Sequence, residues 1–331
     1  MAQDQHGSLC CAVLQQITEF HSRARWRPEM ASVALRRLPK ALATQAHSPF
    51  RGVVSEASLH GRAPPPLPHY PPELARVRKR VINAVVAETK VGRTPQIPPG
   101  GYLPEENEMW QALYRRVFAA ASEHACAEYL EALETGAAYS PEHIPDIEHF
   151  SARLHRLTGW EVAPVGGAIS SEQFFALLER RHMPCTQYIR PHTKYAFTED
   201  PDCIHEMLGH LPALFIPSWA KLSQAFGATA RRLQEEGKEE KLQQLTLMYF
   251  AVIEKGLVKE NGKVKAIGAS VLSGSGELLH AMEHTGKHLP FDVDLVMKYG
   301  STDESDFMEW FFVGESVDSM AAQVHEWMDA L

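Results

Sequence analysis

Between Pro104 and Ala132, the apolar residues Trp110, Leu113, Val117, Phe118, Ala121 and Ala125 recur at intervals of three and four, the period that gives a helix one buried face. The same reading predicts helices at Ile144 to Leu157, Ser171 to Arg180, Trp219 to Glu236, Lys241 to Glu254 and Asp318 to Met328. Strand-like runs are few and short: Glu161 to Val165, Cys185 to Arg190 and Val264 to Ala269, each bounded by Gly or Pro on at least one side. The pattern predicts a mostly α domain with a few short strands. No internal repeat is present.

The run from Ala63 to Pro72 holds six prolines, which fix φ and lack an amide donor, so it reads as an extended linker. Pro72 to Val86 reads as a short basic helix and Thr94 to Tyr102 as irregular. Residues 1–95 are therefore expected to be an extension and linker, and residues 96–331 the compact domain. Arg23, Arg25, Arg27, Arg36, Arg37 and Lys40 give the start a composition shared with organelle transit peptides, but a flexible extension is the simpler reading.

A net charge of −8 argues against a nucleic acid or an anionic membrane as partner, since both demand a basic face. No stretch nears the roughly 18 apolar residues of a membrane helix. Five scattered cysteines lack the spacing of a zinc ribbon or a disulfide framework, which favours a reducing compartment. A cytoplasmic protein with a small-molecule ligand is expected.

The strongest chemistry lies in His205-Glu206-Met-Leu-Gly209-His210. Zinc proteases space the two histidines four apart; here they are five apart, about 140° round an ideal helix. For both rings to reach one ion the helix must end or loosen between them, and Gly209 stands where a helix can terminate. Two histidines and a carboxylate would complete a facial triad with open positions for oxygen chemistry on iron(II). Glu254, the single acid in the apolar stretch from Leu242 to Leu257, is the first candidate, although an acid at a helix end beside Lys255 needs no metal to explain it. His280 and His284, with Glu283 and His288 near them, form a rival cluster at better helical spacing.

Cys185-Thr-Gln-Tyr-Ile-Arg190, Thr198 to Asp202, His205-Glu-x-x-Gly-His210 and Tyr249-Phe-x-Val-Ile-Glu254-x-Gly-Leu together resemble the pterin-dependent aromatic amino acid hydroxylases. Pro164 to Ser171, Ala269 to Glu277 and Phe312 to Ser316 agree in order, so the resemblance covers about residues 100 to 328. It implies iron(II) on His205, His210 and Glu254, with tetrahydrobiopterin or a related reduced pterin and O2. It implies a substrate carboxylate on Arg190, whose partner is Asp202; without the resemblance these two read as an ordinary ion pair. Thr198, Phe250 and Ser273 would contact the amino acid, and Ser273 and Glu277 would orient the first histidine. Gly167, Ala168, Ile169, Ser171, Phe174 and Glu206 match the pterin site, although Phe174 also suits a helix-face core.

Three departures stand out. The family's Thr-Pro-Glu-Pro-Asp is Thr198-Glu199-Asp200-Pro201-Asp202, and Gly274 replaces a serine. Phe250 stands where phenylalanine and tyrosine enzymes carry tryptophan and tryptophan enzymes carry phenylalanine. Phenylalanine is the substrate expected first; a tryptophan enzyme and a non-catalytic relative that binds an aromatic ligand are the alternatives. No match to the family's tetramer helix follows residue 316, so a monomer is expected.

Overall fold

The computed structural model describes residues 102–165, 169–190, 195–196, 201–283, 287–302 and 307–331. The basic helix expected at Pro72 to Val86 lies outside the described residues, as do Gly167, Ala168, Thr198, Glu199, Asp200 and His284. Among the described residues helices dominate and strands are short, as the pattern predicts.

Helix α1 (Pro104–His124) starts on a proline that needs no amide partner in the first turn, and the Glu106 carboxylate accepts the Leu103 N–H at 2.6 Å. Its stripe of Trp110, Leu113, Val117 and Ala121 is buried. Where one helix was expected to run on to Ala132, the chain turns at Ala125, and α2 (Ala127–Glu131) widens into a π-helical turn (Ala132–Ala137). Helix α3 (Ile147–Thr158) is capped by Asp146 and stopped by Gly159 at φ 77°.

Strand β1 (Glu161–Val165) pairs in parallel with β2 (His182–Thr186) across α4 (Ser171–Glu179), with Glu161 opposite His182 and Val165 opposite Thr186. The second expected strand is thus displaced to earlier residues. From Gln187 to Arg190 the backbone leaves the ladder for other partners: the Tyr188 carbonyl accepts the Cys203 N–H at 2.8 Å, and the Arg190 N–H donates to the Asp202 Oδ2 at 2.7 Å.

A second π-helical turn (His205–His210) runs into the short α5 (Leu211–Ala213), then α6 (Pro217–Glu235) and α7 (Glu239–Tyr249). Helices α4 and α6 cross so closely at Gly227 that a Cβ there would sit 2.2 Å from the Glu179 amide nitrogen. Trp110, Trp160 and Trp219 are among the largest fully buried side chains, and such burial contributes about 1.5–3 kcal/mol for each large apolar group.

Helix α7 widens into a third π-helical turn (Phe250–Glu254) and feeds a sheet of order β4-β3-β6-β5. Strands β3 (Leu257–Glu260) and β4 (Lys263–Ala266) form a hairpin through Asn261 and Gly262, both at positive φ as a two-residue primed turn requires. The Gly256 carbonyl accepts the N–H groups of Ile267 and Gly268, which brings α8 (Ala269–Ser273) and α9 (Ser275–Glu283) back beside Glu254. Strands β5 (His288–Pro290) and β6 (Phe311–Gly314) pair in parallel, with α10 (Val293–Tyr299) between them in sequence and α11 (Val317–Asp329) following.

Candidate functional site

His205 and His210 lie at the two ends of the second π-helical turn. An i→i+5 hydrogen-bond pattern widens the turn, so residues five apart come to lie over one another. The helix therefore loosens at this point rather than terminating, and Gly209 has another use. A Cβ on Gly209 would lie 2.6 Å from the Ala269 carbonyl oxygen, so the missing side chain lets α8 press against the histidine turn. The Leu208 carbonyl in the same turn accepts a hydrogen bond from the buried Tyr129 hydroxyl.

The two Nε2 atoms are 3.0 Å apart, the Glu254 Oε1 is 3.1 Å from His210 Nε2, and its Oε2 is 3.7 Å from His205 Nε2. Two donors about 2.1 Å from one ion and at right angles to each other would be about 3.0 Å apart, so the set fits a single metal. It is the one such group of three among the described residues. His280 Nε2 instead meets the Met308 carbonyl at 2.9 Å, and His288 Nε2 meets that of Ala281 at 2.6 Å. Glu254 does not reach out beside Lys255: it is buried and turned to the histidines, while Lys255 pairs with Glu277.

The neighbours fix these side chains. Ser273 Oγ is 3.1 Å from His205 Nδ1, which leaves Nε2 to face the other donors, and Ser270 Oγ donates to Glu254 Oε2 at 2.9 Å. Burial lowers the His205 pKa to about 3, with His210 and Arg190 adding to the effect and Glu254 opposing it. Burial would raise Glu254, but its contacts with His210, His205 and Ser270 prevail and hold it at about 2. Both groups thus keep free lone pairs, which a cation needs. Burial lifts Glu206 to about 8, helped by Glu254 and Asp202 and opposed by His210 and the Thr186 N–H.

Arg190 is 1% exposed, its Nη2 donates to Asp202 Oδ1 at 2.6 Å, and its Nη1 donates to the Ser273 carbonyl at 3.3 Å. Asp202 also accepts the His205 N–H at 3.0 Å, so one carboxylate ties the arginine to the histidine turn. Arg190, Ser273 and the triad border a cavity of about 230 Å³. Of the residues expected at the site, Ile169, Ser171, Phe174, Glu206, Phe250, Ser273 and Glu277 line it with Arg190 and the triad, and Asp202 stands behind Arg190. Glu277 is paired with Lys255, and it is Ser273 whose hydroxyl meets the histidine. Sequence reasoning missed Thr186, Thr246, Tyr249, Lys255 and Ser270 as lining residues. Ser270 was in principle findable, since it stands one helical turn before Ser273.

Comparison with known proteins agrees with this geometry. The family model for biopterin-dependent aromatic amino acid hydroxylase matches residues 65–331, beginning within the proline-rich run. The chain is 32% identical over 267 residues to tyrosine 3-monooxygenase of Schistosoma mansoni, covering 79% of this chain and 56% of that protein. It is 33% identical over 262 residues to tryptophan 5-hydroxylase of Xenopus laevis, covering 78% and 53%. The chain thus spans about half the length of the curated relatives it matches. Among solved structures, phenylalanine hydroxylase from Chromobacterium violaceum bound to cobalt superposes with a TM-score of 0.62 at 26% identity, over 67% of this chain and 79% of that one. A point variant of the same enzyme gives a TM-score of 0.64 at 26% identity, covering 70% and 82%. With the family model spanning most of the sequence and two histidines and a glutamate converging at the cavity, this chain belongs to the biopterin-dependent aromatic amino acid hydroxylases.

Proposed function

We propose that the chain hydroxylates the ring of an aromatic L-amino acid, with residues 96–331 as the catalytic domain. The observation that carries this reading is a His-His-Glu set and a buried arginine bordering one cavity. Iron(II) held by His205, His210 and Glu254, with a reduced pterin such as tetrahydrobiopterin, would supply the chemistry that activates O2.

The protein's own share is binding, orientation and exclusion of water. Arg190 would take the substrate carboxylate in charge-assisted bonds, and Asp202, by holding the guanidinium, would set where that carboxylate sits relative to the triad. Ser273 and Ser270 hold the His205 ring and the Glu254 carboxylate, so that neither has to reorganise. Phe174, whose ring meets Tyr249 edge-on at 5.3 Å, would offer a face to the flat pterin, with Ile169, Ser171 and Glu206 along its edge. Gly167, Ala168 and Thr198 enter this reading from the sequence alone.

Phenylalanine is the first substrate to offer. Tryptophan is the second, because Phe250 lines the cavity and its ring is smaller than the tryptophan that the resemblance associates with phenylalanine enzymes. The test supplies the purified chain with iron(II), tetrahydropterin and O2, offers phenylalanine, tyrosine and tryptophan separately, and identifies each product by mass and ring position. Hydroxylation of none of the three would overturn the proposal. Tight amino-acid binding without pterin oxidation would instead favour a non-catalytic relative.

A further inference from the structure

The cavity wall carries one feature that the proposed reaction does not use. Lys255 directly follows Glu254, and its ammonium donates to a carboxylate oxygen of Glu277, which lies on α9, four residues beyond Ser273 and past the extended Gly274. Both side chains border the same cavity as the triad and Arg190, and both are at most 3% exposed.

An ion pair is an expensive wall for a pocket meant only for hydrocarbon. Taking two charges out of water costs several kcal/mol per ion, and their mutual attraction offsets this only when the remaining donors and acceptors also find partners. A lysine ammonium has three donors and a carboxylate has room for several, so one bond between them leaves capacity to spare. A plain benzyl ring satisfies none of it. A ring bearing a hydroxyl, an amino group or a ring N–H can donate to Glu277, and the first two can also accept from Lys255. A site built to hydrogen-bond a substrate group discriminates strongly against an analogue that lacks it, because the protein's polar atoms are then sealed in without partners.

We infer that the buried Lys255–Glu277 pair is a specificity element, selecting aromatic amino acids whose ring carries a hydrogen-bonding group over phenylalanine. The inference rests on the proposed use of this cavity for the amino acid, and it turns the expected preference away from phenylalanine. It assigns the pair no part in the chemistry itself.

The test is calorimetric binding of phenylalanine, tyrosine, tryptophan and 4-aminophenylalanine to the full chain, with kcat/KM for each measured alongside. Tyrosine, tryptophan or 4-aminophenylalanine should bind the wild-type protein about tenfold or more tightly than phenylalanine. The double variant K255M/E277L removes both charges together, so that neither is stranded. It should shift the ratio about tenfold toward phenylalanine while metal binding at the triad is retained. Phenylalanine binding as tightly as the polar rings, or an unchanged ratio in a folded double variant, overturns the inference. The wild-type ranking can still overturn the inference if the double variant does not fold. Binding with the stated preference but without turnover would sink the proposed function alone. Binding of none of the four would sink both.

Discussion

Gly209→Ala sets two known effects against each other. Alanine is favoured over glycine inside a helix by about 1 kcal/mol, so propensity alone predicts a more stable protein. The new Cβ, however, would lie 2.6 Å from the Ala269 carbonyl oxygen and 3.0 Å from both its carbonyl carbon and its Cβ. Two of these atoms are backbone, at the start of α8, and cannot rotate aside as a side-chain end can. Overpacking of this kind costs about 1–3 kcal/mol, and contact with backbone places it in the upper part of that range. The net expectation is a loss of about 1–2 kcal/mol, or roughly 2–8 °C in Tm for a domain of this size. A displaced α8 carries Ser270 and Ser273 away from Glu254 and His205, so metal affinity should fall about tenfold. Scanning calorimetry of the metal-free protein and chelator competition for a divalent metal measure the two effects. An unchanged or raised Tm with unchanged metal affinity would refute the reasoning.

Further predictions follow from the same geometry. Ser270→Ala removes the hydrogen bond to Glu254 Oε2 and should weaken metal binding about 10-fold to 100-fold with little change in fold, read by chelator competition and far-UV circular dichroism. Phe250→Trp narrows the cavity and should shift the kcat/KM ratio toward phenylalanine over tryptophan by about tenfold; an unmoved ratio would remove Phe250 from the specificity argument. Glu206 is raised from 4.5 to about 8, so the folded state holds a proton that the unfolded chain has given up. Its contribution to stability is fully present below pH 4.5 and is lost as pH rises through 8. Urea titrations of the metal-free protein should show that Glu206→Gln flattens this decline, and identical pH profiles would contradict it.

The long helices were legible because α1, α4, α6, α7 and α11 each bury one stripe at helical period. The short strands were not. Strand β6 is buried at all four positions and shows no alternation, and β3 is only four residues long. The Asn261-Gly262 pair did signal the hairpin, and a search for primed turns would have found it. The triad residues were legible from composition and order, yet spacing alone could not choose Glu254 or dismiss His280. What decides these points is tertiary: Lys255 has Glu277 as a partner, and His280 has the Met308 carbonyl. The widened turns leave no mark in hydrophobic periodicity, because they change which amide meets which carbonyl and not which face is apolar.

The bond from Tyr129 to the Leu208 carbonyl carries a further consequence. In an ordinary α-helical register His205 and His210 would diverge by about 140°, and no single ion could join them. Chelation by both rings therefore requires the widened register. Any fraction of molecules in the narrower register would raise the apparent dissociation constant in proportion. Tyr129, anchored in a separate helix, holds this turn through the Leu208 carbonyl without being a ligand itself. Tyr129→Phe should therefore weaken metal binding while every ligand residue stays in place, and an unchanged affinity would show that the turn keeps its register without this bond.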